Sequence, residues 1–343
     1  MQHADHTAER VSAIAFPPVA RLTEYAVGMP VVVAATNYAL MFGHVSAPWP
    51  FLFAWMAVST AALSWCVGRY LWPAWLRWLV LAWALVLLDL LTFATCIGTS
   101  YSGFGYALVT AQIGFLVLWA ILGPERWQLR LPAAVVAAAI VMGFSGSFDD
   151  RWSSRAWNVM LFLTAVELTL LCGGLRCFGY SLKRAADDGP VSSGGHDNAV
   201  YQFGTRHMLV WATAIAPLLL VARGLDFVFA DVFDAQSIVS AVVLVVSLAT
   251  VCLIAIWAVL GAGSLIARTI SLILMPFVLG IVMRVVSEPR RTRWRSPILA
   301  GIDDVGDNWI TWMGLTAALL AALLLFLRAD GYLLSRAKSL DTS

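Results

Sequence analysis

Apolar residues fill this chain in long blocks separated by short polar stretches. The run from Trp75 to Gly98 holds a single acidic residue, Asp89, and the run from Ser237 to Ala262 holds no charge. A helix rises about 1.5 Å per residue, so roughly 20 apolar residues cross a hydrocarbon core of about 30 Å. Blocks of this length are too long for strands and lack period-two alternation. They predict membrane helices.

Ten such segments can be drawn, at about 25–43, 50–68, 75–98, 106–122, 131–146, 156–178, 208–229, 237–262, 264–286 and 308–328. The fourth and fifth are short. Arg223 and Asp226 interrupt the seventh, and the eighth and ninth run together through Gly261, Ala262 and Gly263. The expected fold is an all-α polytopic transmembrane helical bundle of about ten helices, with nine or eleven as the neighbouring counts. Residues 1–180 form an N-terminal half of six helices, 181–207 a flexible cytoplasmic loop, and 208–343 a half of about four helices. The loop is marked by Gly189, Pro190, Ser192, Ser193 and Gly195. No internal repeat stands out, so an inverted duplication of the transporter kind has no support in the pattern.

Basic residues orient the early helices, because cytoplasmic loops carry the excess of Lys and Arg. With the N-terminus inside, the inner side collects Arg10, Arg21, Arg69, Arg77, Arg126, Arg130, Arg176, Lys183, Arg184, Arg206, Arg268, Arg328, Arg336 and Lys338. The first two outer loops carry none. Arg290, Arg291, Arg293 and Arg295 conflict with the scheme, since they fall in a late loop assigned to the outside. Trp72, Trp75 and Trp78 flank a turn beside Arg69 and Arg77 and read as headgroup-level anchors.

Composition adds exclusions. Charged residues are 12% of the chain, about half the usual globular share, and mean hydropathy is +0.82. The longest hydrophilic stretch, Ser181 to His207, is too short to bury a core of its own. A net charge of +2, spread over loops, offers no basic patch for nucleic acid. The expected partners are the lipid bilayer and other membrane proteins. Met1 to Glu24 mixes charges of both signs and does not read as a secretory signal. A bacterial inner-membrane location follows as the expectation.

Two short segments carry a resemblance. Tyr201-Gln202-Phe203-Gly204-Thr205-Arg206-His207-Met208-Leu209 leads into a helix, and Leu327-Arg328-Ala329-Asp330-Gly331-Tyr332-Leu333-Leu334 leaves one. Together they resemble uncharacterised multi-pass membrane proteins of planctomycete-type bacteria, which carry a Gln-Phe-Ser-Leu-Arg-like lead-in and an Arg-x-x-Gly-Tyr-like exit. The chain departs from that pattern at Gly204 and Thr205. The resemblance implies a lineage and a membrane location, with no reaction attached. Physically, Phe203 with Arg206 and Tyr332 with Arg328 read as interfacial anchors.

Chemistry is sparse. Asp89 lies near the middle of its segment and Glu167 near the middle of another, where a carboxylate costs about 2.5–3.5 kcal/mol on insertion scales. Thr92 follows Asp89 by about one turn, and Thr164 precedes Glu167 by about one turn, so both faces carry a hydroxyl. These four residues form the candidate intramembrane polar site. One reading is a proton or cation site. The other is carboxyls joining helices by hydrogen bonds. Asp303, Asp304 and Asp307 lack the spacing of a calcium loop and read as a solvated acidic turn. The histidines are scattered, no nucleophile elbow or Walker sequence is present, and the five cysteines show no zinc or disulfide spacing. No catalytic residue, metal or cofactor is assigned. A structural or assembly component leads, a secondary transporter or channel using intramembrane carboxylates follows, and a membrane-embedded enzyme comes last.

Overall fold

The computed structural model describes residues 28, 30–33, 35, 49–71, 74–96, 102–124, 127–145, 151–184, 235–287 and 309–336. Helical residues 28, 30–33 and 35 precede eight longer helices: α1 (Trp49–Tyr70), α2 (Ala74–Cys96), α3 (Ser102–Leu122), α4 (Trp127–Ser145), α5 (Arg151–Cys177), α6 (Ala235–Leu260), α7 (Leu265–Ser287) and α8 (Trp309–Ala329). Two strands, β1 (Tyr180–Arg184) and β2 (Tyr332–Arg336), follow α5 and α8.

The apolar blocks account for the helices. Every segment drawn from 50–68 onward is met by a helix, except 208–229, which lies outside the described residues. Five helices are long and apolar enough to cross a membrane: spans within α3, α5, α6, α7 and α8. The count of ten is not reached among the described residues. Helices α3, α4 and α5 begin about four or five residues before their apolar runs. A helix continues into the headgroup layer, where polar side chains are tolerated, so hydropathy alone places its start too late. Helix α7 runs through Pro276 as one helix, although proline removes a backbone hydrogen bond there.

The all-α expectation needs one amendment. β1 and β2 pair antiparallel, with Tyr180 opposite Arg336, Leu182 opposite Leu334 and Arg184 opposite Tyr332. The expected flexible loop from residue 181 therefore opens with ordered strand. The remainder of that loop lies outside the described residues.

Helices α3 and α8 form the centre. The span in α3 is 78% buried, whereas that in α7 is only 11% buried and turns Ile266, Ile270, Ile273 and Phe277 outward. Helix α8 packs on α1, α3, α6 and α7. Gly68 lets α1 meet α8 backbone to backbone: a Cβ there would lie 2.5 Å from the Phe326 carbonyl oxygen. Small residues permit such approach where lipid supplies no hydrophobic drive between helices.

The strands mark one end of the bundle. There α1 ends and α2 begins, and Arg77 of α2 donates to the Leu71 carbonyl and forms an ion pair with Asp330, just past α8. Arg176 at the end of α5 donates to the Ile121 carbonyl at the end of α3. Arg69, Arg77, Arg130, Arg176, Lys183, Arg268 and Arg328 thus belong to this sheet end, as their shared assignment to one side requires. Helix α7 ends and α8 begins at the far end. Residues 288–308, with the conflicting arginine cluster, connect those termini and lie outside the described residues. Trp78, half-buried, packs inward as well, with its ring 5.3 Å from that of Trp119 and 4.9 Å from that of Phe326. Trp75 is exposed.

Candidate functional site

Asp89 sits in the last third of α2, on the side that faces α3. Its residue is 4% exposed, so the apolar sequence around it has buried it in the bundle. Its partner is Gln112, in the middle of α3 and 2% exposed. Gln112 Nε2 donates to Asp89 Oδ1 at 2.8 Å. Sequence reasoning missed Gln112. The available signal was an amide in the middle of an otherwise apolar helix, easily passed over because an amide is far less costly in lipid than a carboxylate.

The pair is chemically versatile. Gln112 can offer an N–H to a carboxylate or, turned over, its carbonyl to a protonated acid. In the arrangement observed, Gln112 Oε1 is enclosed and accepts no hydrogen bond among the described residues. A buried acceptor left this way costs about 1–3 kcal/mol.

Of the other expected site residues, Thr164 and Glu167 do not join this pair. Thr164 is fully buried on α5, and its Oγ1 donates to the Met160 carbonyl of its own helix at 2.8 Å. Such back-bonding satisfies the hydroxyl without reaching a neighbour. Glu167 is half-buried on α5. Helices α2 and α5 both pack on α3, with no substantial contact between them, so Asp89 and Glu167 belong to different helix interfaces. The Thr92 side chain lies outside the described residues. No group of three metal-ligating side chains occurs among the described residues.

Two further features surround the site. A cavity of about 20 Å³ lies between α1, α2, α8 and the helical residues near 30, lined by Pro30, Thr60, Ser64, Ala84, Leu88 and Leu323. It has room for about one water, and Ser64 Oγ, unpartnered among the described residues, faces such a need. At the far end, Tyr106 of α3 stacks on Trp157 of α5 at 4.4 Å, Trp157 meets Trp312 edge to face at 4.8 Å, and Trp309 lies 5.2 Å from Trp312. These indoles are buried, and their N–H groups find no acceptor among the described residues. Headgroup anchors would face outward. This cluster faces inward and holds three helix starts together by ring packing.

Compared with known proteins, the chain matches no family model, no curated protein and no solved structure.

Proposed function

We propose that this is a multi-pass protein of the bacterial inner membrane, with about ten spans and a cytoplasmic N-terminus, that serves as a structural or assembly component. The observation that carries the reading is the Asp89–Gln112 hydrogen bond: the costliest side chain in α2 is occupied by tying α2 to α3. The gathering of basic residues at the sheet end supports its placement on the cytoplasmic side. Reporter fusions after Arg10 and after Asp188 should both signal cytoplasm. Opposite signals would overturn the orientation. Purification in mild detergent should return a stoichiometric membrane partner. A lone chain that takes up protons in liposomes would sink the assembly reading.

The unpartnered Gln112 Oε1 favours a second reading, in which the Asp89–Gln112 pair carries a proton or small cation. Asp89→Asn then abolishes flux while leaving the melting temperature unchanged. In the first reading Asp89→Asn is silent in both measurements.

A further inference from the structure

The path out of α5 and the path out of α8 are the same path. Helix α5 closes with Phe178 N–H donating to Gly174 O and Gly179 N–H to Arg176 O, both at 3.0 Å. Helix α8 closes with Asp330 N–H donating to Phe326 O at 3.0 Å and Gly331 N–H to Arg328 O at 3.1 Å. Gly179 has φ +83° and Gly331 φ +89°, a left-handed conformation natural to glycine. A five-residue strand follows each glycine. The sequences agree too. Arg-x-x-Gly-Tyr-x-Leu-x-Arg occurs at 176–184 and again at 328–336.

The agreement extends back along both helices without a gap. Trp157, Leu163, Thr164, Ala165, Leu168, Leu171 and Leu175 recur as Trp309, Leu315, Thr316, Ala317, Leu320, Leu323 and Leu327. Leucine meets leucine often by chance in such helices. The weight therefore rests on Trp157, Thr164, Arg176, Gly179, Tyr180 and Arg184, each of a type far rarer in this chain than leucine.

A second pair of segments repeats upstream. Trp119-Ala120-Ile121-Leu122-Gly123 ends α3, and Arg130 follows in α4. Trp257-Ala258-Val259-Leu260-Gly261 ends α6, and Arg268 follows at the same spacing in α7. The local structure repeats as well. Gly123 N–H donates to Trp119 O at 3.1 Å, and Gly261 N–H to Trp257 O at 2.9 Å. The Arg130 guanidinium folds back over Gly123, and Arg268 Nη1 donates to the Gly261 carbonyl at 2.6 Å.

We infer that residues 102–184 and 235–336 are two copies of one unit, three helices and a strand, and that the surface joining them pairs this unit with its own copy. Packing follows the same rule. Helix α3 packs on α4 and α5 as α6 packs on α7 and α8. Across the boundary α3 meets α8 as α6 meets α5. Contacts on a two-fold axis join equivalent residues. Gly114 and Cys252 occupy the same place before the Trp-Ala motif, and they touch: a Cβ on Gly114 would lie 3.1 Å from Cys252 Sγ. Leu182 and Leu334 also correspond, and they pair at the centre of the sheet. The axis passes through both contacts. Because α5 and α8 end at the same end, it runs along the bundle, and the duplication is parallel, not inverted. The symmetry is imperfect at one place: α7 packs closely on α8, whereas α4 barely touches α5. That is also where the second unit carries the longer connection, 288–308.

Cross-linking in the full chain tests the axis. With native cysteines replaced by serine or alanine, Leu182→Cys with Leu334→Cys should oxidise to an intrachain disulfide. The double variants Ser181→Cys with Ser335→Cys and Lys183→Cys with Leu333→Cys are interchanged by the two-fold and should cross-link with equal yields. Yields differing several-fold, or products at twice the mass, would overturn the inference. A transplant is the second test. Replacing residues 157–184 by the sequence of 309–336 should leave membrane insertion and detergent melting within a few degrees of the parent, while a scrambled version of the same sequence aggregates. If transplant and scramble behave alike and the paired yields also differ, the two segments are not equivalent.

Discussion

The two units differ most where their shared framework is least needed. In the first unit Gln112 of α3 holds Asp89, and Glu167 stands on α5. The corresponding positions of the second unit are Thr250 and Leu319. Thr250 Oγ1 donates to the Val246 carbonyl of its own helix at 2.7 Å. The tryptophans, arginine caps, glycines and strand tyrosines are kept in both. What both units keep belongs to the fold. What only the first unit carries is its specialisation, and this separates the two kinds of residue without recourse to other proteins.

The largest expected effect tests the shared part. Trp157→Ala and Trp309→Ala each empty a buried ring site and should each destabilise by about 3 kcal/mol in detergent unfolding, by similar amounts. A large loss at one and none at the other would break the correspondence. Next comes a contact the units do not share, since Asp330 corresponds to Phe178. Arg77→Ala removes the ion pair with Asp330, whose side chain is 8% exposed. Removing one member of a buried pair costs about 3–5 kcal/mol in a dry interior, and closer to about 2 kcal/mol at a bundle end near water. The same measurement on Asp330→Asn should show a smaller loss.

Asp89→Leu strands the Gln112 amide and should weaken the bundle by roughly 1–2 kcal/mol, whereas Asp89→Asn should change it by less than about 0.5 kcal/mol. Equal effects would mean that the carboxyl does not serve as the helix tie. Gly179→Ala and Gly331→Ala should each cost about 1 kcal/mol, because an L side chain is strained at these φ values. Smallest is Thr164→Val, expected within a few tenths of a kcal/mol because its hydroxyl bonds its own helix.

Hydrocarbon thickness made much of this fold readable. It forces a contiguous apolar run at every crossing, so segments such as 237–262 and 308–328 find their helices within a few residues. The strands were hidden because Tyr180–Arg184 carries only one strong apolar position, Leu182, and gains its partner from a distant part of the chain. The duplication was hidden by leucine: among apolar helices, background matches drown a sparse set of Trp, Thr, Arg and Gly. The longer 288–308 connection also shifts the two matching stretches out of a single register. At the candidate site, Asp89 was legible because a mid-helix carboxylate is costly. Gln112 was not, because nothing in α3 alone points to α2. The inward contacts of Trp78 were not legible, because tryptophan suits both the headgroup level and a packed interior.

The pairing of β1 with β2 also sets an order of events during synthesis. The ribosome makes β2 roughly 150 residues after β1. At about 5–20 residues per second, the first strand waits roughly eight to thirty seconds for its partner. During that interval it is an open edge, available to chaperones, proteases or the strand of a neighbouring nascent chain. A chain stalled before Tyr332 should therefore be clipped near Tyr180–Arg184 by protease from the sheet side, and a released chain that includes β2 should resist. The last few residues of α8 and β2 act as a latch that closes only once both strands have been made.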